Sequence, residues 1–118
     1  DKFREMFDFY SSLLNTHTHT QNSQLFYIKF GDIGETHLHV NLLPKNEEEL
    51  KIAQELTLRF TRKAVELGGT VSAEHGIGKI KHAYLKEMYG EAGINEMIGI
   101  KKAFDPNYIL GVSNIFPH

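Results

Sequence analysis

The chain has 118 residues and no cysteine, and its 13 lysine and arginine residues against 15 aspartate and glutamate residues give a net charge of -2. This length fits one domain, and the charge argues against nucleic acid or an anionic membrane as a partner. Since no apolar run approaches the roughly 20 residues that cross a bilayer, no membrane span is expected. Without cysteine, disulfides and thiolate metal sites are excluded, and metal ligands would be imidazole and carboxylate groups.

The first part of the chain is predicted to form a helix followed by a strand pair. Apolar residues recur at three- and four-residue steps and predict a helix over residues 2–14, followed by a polar loop over 15–23. Segments rich in aromatic and branched residues then predict strands over 25–30 and 37–43. Because a short connection with glycine separates these strands, we expect an antiparallel hairpin.

The central helix is predicted from its start signal and its apolar stripe. Asn46 and Glu49 have the spacing of a capping box, in which each side chain satisfies a backbone donor at the start of a helix. The helix is expected over residues 47–67. Its predicted buried face consists of Leu50, Ala53, Leu56, Phe60, Ala64 and Leu67.

The rest of the chain is predicted to contain short elements. We expect a strand over 70–73, a tight loop over 74–78 and two helices near 80–89 and 92–103. Helices on one side of a mainly antiparallel sheet make an α+β arrangement, which is the predicted fold class.

The segment FGDIGETHLHVN, residues 30–41, carries ionisable groups within the strand pair. His37, His39 and Asn41 alternate with apolar residues, so one face of the strand would bear imidazoles while the other faces the core. Histidine is the commonest metal ligand, and a metal site is therefore one interpretation of this pattern. The other interpretation is that both histidines are solvated on the outer face of the sheet.

The segment GGTVSAEHGIGK places Glu74 and His75 side by side in a glycine-rich loop. Together, His39, Glu74 and Asp32 would form a nitrogen and oxygen ligand set suited to zinc, manganese or iron. Such an ion would act as a Lewis acid on a bound substrate hydroxyl, and His75 is a nearby candidate base for its proton. Alternatively, the glycines serve only turn geometry and both side chains are exposed.

Three segments of the chain resemble, in order and separation, the motifs of a known enzyme family. FGDIGETHLHVN is similar to a strand pair of the form FGHxGDGNLHxN, GGTVSAEHGIGK to GGxxSAEHGIG, and AFDPNYILGVSNIF to AFDPxxILNPGKxF. The family is that of flavin-linked 2-hydroxy-acid oxidoreductases, the glycolate oxidase, D-lactate dehydrogenase and D-2-hydroxyglutarate dehydrogenase group. The resemblance covers residues 24–116.

The resemblance implies an incomplete enzyme. Residues 1–118 would be the C-terminal portion of a ferredoxin-like α+β cap domain, with helices on one face of an antiparallel sheet. FAD would be the cofactor of the complete enzyme, bound by a flavin-binding domain outside this chain, and a small 2-hydroxy acid its substrate. The isolated chain is expected to be inactive, and since it begins with Asp1 it is either a fragment of a longer protein or a degenerate, free-standing copy. A cytoplasmic location is expected, and peripheral membrane attachment and a homodimer are left open.

The resemblance also implies roles for individual residues. His39 and Glu74 match family metal ligands, and His75 matches the proposed catalytic base. The remaining ligand is a histidine in the family and Asp32 here, and two carboxylates would cancel the charge of a divalent ion and weaken its acidifying effect. His37 stands where the family has asparagine and is a possible substitute ligand.

Two other hypotheses stay open. The departures from the family pattern at Asp32, at Thr36 and in the terminal motif favour a non-catalytic α+β interaction module that has lost its metal. The tract THTHT, residues 16–20, is a further candidate metal site through His17 and His19.

Overall fold

The structure is a computed structural model that describes residues 2–18, 25–32, 34, 37–72 and 74–116. The chain divides into two units, Asp1–Leu67 and Gly68–His118. The first unit contains helix α1 (Lys2–Thr18), strands β1 (Phe26–Asp32) and β2 (His37–Leu43), and helix α2 (Glu47–Glu66). The second unit contains helix α3 (His82–Phe104). Helices combined with an antiparallel strand pair confirm the predicted α+β class.

Strands β1 and β2 form the predicted antiparallel hairpin, in a register that pairs Asp32 with His37 at one end. Because cross-strand partners point to the same face of a sheet, this register assigns every side chain to one of two faces. One face packs on the core through Tyr27, Val40 and Leu42, as predicted for the apolar residues of β2. The other face is exposed, with Phe26, Ile28, Phe30 and Leu43 among its side chains.

The core of the first unit lies between the two helices and the hairpin. Its buried side chains are Met6, Leu14, Leu25, Ala53, Leu56 and Phe60. Tyr10 of α1 packs edge-on against Phe60 of α2 with ring centroids 4.6 Å apart, and burial raises the pKa of the Tyr10 phenol.

The prediction that Leu50 belongs to the buried face of α2 is wrong, because its side chain is 45% exposed. A helix turns by about 100° per residue, and this rotation places Glu49, not Leu50, nearest the middle of the face that Leu56 and Phe60 define. Glu49 is accordingly buried.

The predicted start of α2 is confirmed. The Asn46 Oδ1 atom accepts a hydrogen bond from the Glu49 N–H at 2.8 Å, which satisfies one of the unpaired donors of the first turn. In return, Glu49 Oε2 accepts from the Lys45 N–H at 2.8 Å, one residue earlier than in the usual capping box. The buried carboxylate thereby gains a partner.

Helix α1 continues to Thr18, four residues past its predicted end, so the predicted loop is wrong for residues 15–18. The polar residues of its last turns fit the helix because their hydroxyls bond to it, as Thr16 Oγ1 does to the Ser12 carbonyl at 2.9 Å. The remainder of the predicted loop, residues 19–23, lies outside the described residues.

Polar contacts join α1 to the rest of the first unit. Lys63 of α2 forms an ion pair with Glu5 of α1 at 2.8 Å, and this contact lowers the pKa of the Glu5 carboxyl. Lys29 of β1 donates to Ser11 Oγ at 2.6 Å and lies 4.2 Å from the ring centroid of Phe7. The lysine therefore spans from the helix-facing side of the hairpin to α1.

In the second unit, the two predicted helices correspond to the two parts of α3. Gly90 interrupts the helix with a φ of 67° and a ψ of 178°, a conformation that glycine adopts without steric cost. The strand predicted over 70–73 is wrong for residues 70–72, since no strand in the described part of this unit offers them a partner; Ala73 lies outside the described residues. No described helix has the length and apolarity needed to cross a bilayer.

Asp105 fixes the backbone that follows α3. Its carboxylate, 4% exposed, accepts hydrogen bonds from Lys101 Nζ at 2.5 Å, from the Ile109 N–H at 3.0 Å and from the Leu110 N–H at 2.9 Å. The hydrogen bond from Lys101 is the main reason that the pKa of Asp105 lies below its ordinary value.

We expect Asp105→Asn to reduce the hydrogen-exchange protection of the Ile109 and Leu110 amides by at least about tenfold at neutral pH. A carboxyl whose pKa is lowered by folding contributes stability above its unfolded pKa of about 3.9, and that stability is lost as the pH falls through the folded pKa. The hydrogen-exchange protection of these two amides in the unmodified chain should therefore fall in acid. The variant should not show this fall, because it has no carboxyl at position 105. The exposed Asp8→Asn is the control, and unchanged protection in Asp105→Asn would contradict the expectation.

Candidate functional site

Three side chains with ligand-type groups and one aromatic side chain share the exposed face of the hairpin at its turn end. Asp32 lies opposite His37, and Phe30 lies opposite His39, so each pair points to the same side of the sheet. His37 and His39 are two residues apart on β2 and therefore also share that side. The hairpin thus gathers Asp32, His37 and His39, three of the residues predicted for the site.

The rings on this face form a stack. Phe30 and His39 lie nearly parallel, with centroids 4.8 Å apart and an angle of 7° between the ring planes. His37 continues the stack on His39 at 4.5 Å and 26°. Both imidazoles are half-buried, and the aromatic contact limits the orientations that they sample. The contact with Phe30 was not predicted, although the hairpin register is sufficient to indicate it.

The turn end of the hairpin is held by Asp32 and Gly31. Asp32 Oδ1 accepts a hydrogen bond from the Gly34 N–H at 2.8 Å, a side-chain turn that aspartate commonly forms. At Gly31 the strands approach so closely that a Cβ atom would overlap the carbonyl oxygen of His37. Only glycine fits this close approach, which sets the position of His37 relative to β1.

In the second unit, Glu74 and His75 lie in a glycine-rich loop. His75 Nε2 lies 3.3 Å from Glu74 Oε1, and both side chains are exposed. Gly76 and Gly78 have φ values of 67° and 56°, in the left-handed region that favours glycine. The expected tight loop is therefore present, and its glycines do serve turn geometry.

Several hydrogen bonds fix this loop, and sequence reasoning did not foresee them. Ser72 Oγ donates to the Gly76 carbonyl at 2.6 Å and accepts from Lys81 Nζ at 3.2 Å. The Gly78 carbonyl accepts from the Ile115 N–H at 2.8 Å, and His82 Nε2 lies 3.0 Å from the same oxygen. Glu74 and His75 therefore project from an anchored loop.

The residues predicted for the site thus form one group in each unit. Asp32, His37 and His39 share a hairpin face, while Glu74 and His75 are neighbours in the loop. That His39 and Glu74 bind the same ion stays a prediction. Of the alternative pair in the tract THTHT, His17 lies in the last turn of α1, and His19 lies outside the described residues.

The side chains available fit a divalent ion of intermediate softness. Imidazole nitrogens suit zinc and iron, and carboxylate oxygens suit manganese as well. The hairpin offers two imidazoles from one strand face, and the loop offers the carboxylate of Glu74. A catalytic zinc site needs three protein ligands and an open position, and that these side chains bind one ion together stays a prediction.

Comparison with known proteins supports the family resemblance. The model of the FAD linked oxidases, C-terminal domain, matches residues 2–114. The chain is 36% identical over 89 residues to the glycolate oxidase subunit GlcD of Bacillus subtilis (strain 168), covering 74% of this chain and 19% of that protein. It is 32% identical over 91 residues to the D-2-hydroxyglutarate dehydrogenase of Xanthomonas citri pv. viticola, covering 74% of this chain and 19% of that protein.

A mitochondrial relative shows the same pattern. The mitochondrial D-lactate dehydrogenase (cytochrome) 1 of Saccharomyces cerevisiae is 34% identical over 96 residues, covering 81% of this chain and 16% of that protein. The chain thus spans only 16 to 19% of the length of these three relatives. Since the family model covers nearly the whole sequence, the chain belongs to the FAD linked oxidases and corresponds to their C-terminal domain.

Proposed function

We propose that this chain is the substrate- and metal-binding part of a flavin-dependent oxidoreductase that acts on a small 2-hydroxy acid. The relatives are named for glycolate, D-lactate and D-2-hydroxyglutarate, and these three compounds share a hydroxyl next to a carboxylate. The observation that carries the proposal is the presence of ligand-type side chains at the matching motif positions, His39 on the hairpin and Glu74 with His75 in the loop.

In this proposal His39 and Glu74 bind a divalent ion, with a third ligand from the hairpin. The hydroxyl and carboxylate oxygens of a 2-hydroxy acid would fill the open positions, so the same residues also orient the substrate. When bound, the ion would acidify the substrate hydroxyl, and the flavin of the complete enzyme would accept the hydride. Flavin binding is assigned to the part of the protein outside this chain.

His75 is the proposed base for the hydroxyl proton. Its contact with Glu74 supports this role, because a carboxylate beside Nε2 favours the tautomer with the proton on that nitrogen. The lone pair then lies on Nδ1, the atom that would take the proton of the substrate. The same contact orients the ring, as carboxylates commonly do for functional histidines.

A zinc titration of the 118-residue chain tests this proposal. We expect the unmodified chain to bind zinc and Glu74→Gln to weaken binding by at least about tenfold, since removal of even an outer-shell partner costs 10-fold to 100-fold in affinity. Isothermal titration calorimetry gives the affinity, and circular dichroism verifies that each variant is folded. Glu96→Gln, an exposed carboxylate on α3, is the matched control and should bind as the unmodified chain does.

Two outcomes would count against the proposed site. Equal zinc affinity in Glu74→Gln and Glu96→Gln would show that Glu74 is not a ligand. Loss of zinc binding in the double variant His17→Asn with His19→Asn would assign the metal to the tract THTHT instead.

A non-catalytic interaction module is the second candidate function. It is favoured by exposed apolar side chains, of which Ile80 and Phe104 are 86% and 85% exposed. Contiguous exposed apolar patches mark interaction surfaces, so this candidate requires such side chains to lie on one surface. Failure of the chain to bind zinc or manganese at any accessible concentration, with the fold intact, would favour this function over the first.

A further inference from the structure

We infer that His37 and His39 are the imidazole pair of the metal site in this chain, and that Asp32 is a turn-forming residue instead of a ligand. The inference rests on the proposed metal-binding function and specifies its ligands. It assigns the third ligand position to a residue where the family pattern has asparagine.

The first observation is the geometry of the two imidazoles. They lie on the same face of one strand, with ring centroids 4.5 Å apart. A Zn–N bond is about 2.1 Å long, so two nitrogens on one zinc ion lie no more than about 4.2 Å apart. Rings already this close need only modest side-chain rotation to offer one nitrogen each to a single ion.

The second observation is the engagement of Asp32. It lies opposite His37 and therefore on the same face, so its position does not distinguish it from a ligand. Its hydrogen bond gives Asp32 a second role, because Oδ1 accepts the Gly34 N–H at 2.8 Å and holds the turn that begins at the end of β1. Metal binding through that oxygen would compete with the turn, whereas binding through His37 would not.

The charge of the two ligand sets gives the chemical reason. A divalent ion held by Asp32, His39 and Glu74 has no net charge left, while one held by His37, His39 and Glu74 keeps one positive charge. Retained charge strengthens both the attraction of an anionic hydroxy acid and the acidification of its hydroxyl. A set with two imidazoles also favours zinc over manganese, which prefers oxygen ligands.

Zinc and manganese titrations of two asparagine variants test the inference. We expect His37→Asn to weaken zinc binding by at least about tenfold, and Asp32→Asn to change it by less than about threefold. Asparagine at position 32 still accepts the Gly34 N–H through its side-chain oxygen, so the turn is preserved. Zinc-induced shifts of the imidazole nitrogen resonances of His37 and His39 give a second measure that does not depend on activity.

The outcomes separate this inference from the proposed function. Loss of affinity in Asp32→Asn with normal affinity in His37→Asn would overturn the inference and leave the metal-binding function intact. The same holds for tighter binding of manganese than of zinc by the unmodified chain. Absence of metal binding by the unmodified, folded chain would overturn both.

Discussion

Gly31→Ala is expected to lower the free energy of unfolding of the first unit by about 2 to 3 kcal/mol, near the upper end for overpacking in a close-packed region. The added Cβ would overlap the carbonyl oxygen of His37, a backbone atom that cannot move away by changing rotamer. Strand β2 would have to shift at His37 itself. We therefore also expect weaker zinc binding, and urea unfolding followed by circular dichroism measures the change in stability.

Gly99→Ala is the control for this substitution. A Cβ at Gly99 meets nothing within 4 Å, and the residue lies within α3. Alanine in a helix interior is more favourable than glycine by roughly 0.5 to 1 kcal/mol, so this variant should be slightly more stable than the unmodified chain. If Gly31→Ala proved as stable as Gly99→Ala, the close approach of the two strands would be wrong.

Leu56→Ala is expected to lower the free energy of unfolding by about 2 to 5 kcal/mol, the range for large-to-small changes in a core. The Leu56 side chain is 1% exposed and belongs to the core of the first unit. Each kcal/mol corresponds to roughly 4 to 8 °C in the melting temperature of a domain of 60 to 100 residues. Thermal unfolding should thus shift down by at least about 8 °C.

Leu50→Ala is the matched control, since it makes the same chemical change in the same helix. Leu50 is 45% exposed, and substitutions on the surface usually change stability by about 0.5 kcal/mol or less. If the melting temperatures of the two variants fell by equal amounts, the assignment of Leu56 to the core and Leu50 to the surface would be wrong.

The elements that could be predicted are those whose signals are local. The capping pair Asn46 and Glu49 marked the start of α2 within one residue, because both partners lie in the same helical turn. The alternation along β2 likewise assigned Val40 and Leu42 to the core-facing side. Such signals survive in any context because they depend on neighbours in sequence.

Two of the errors arise where the outcome depends on residues distant in sequence. A strand over 70–73 needed a partner that the described part of the second unit does not provide. The exposure of Leu50 depended on the orientation in which α2 packs, and the period of the apolar residues defines that face only to within one position. A pattern of apolar residues does not specify what they pack against.

In the candidate site, the grouping of residues could be predicted but the hydrogen bonds could not. Adjacent or alternating residues could be grouped from the sequence, and the structure has Glu74 beside His75 and His37 stacked on His39. The hydrogen bond that Asp32 accepts in the turn could not be inferred, since it depends on the conformation of the backbone at Gly34. The hydrogen bond from the Gly34 N–H to Asp32 is therefore known only from the structure.

Binding of one ion by both His39 and Glu74 is the central claim, and a cobalt–thiolate experiment tests it most directly. The chain has no cysteine, so Glu74→Cys introduces its only thiol. A thiolate bound to cobalt gives an intense ultraviolet charge-transfer band, and soft thiolate ligands hold such ions well. We predict this band in Glu74→Cys with Co²⁺ and its loss when His39→Ala is added. A band that persists without His39, or no band although the unmodified chain binds cobalt, would contradict the claim.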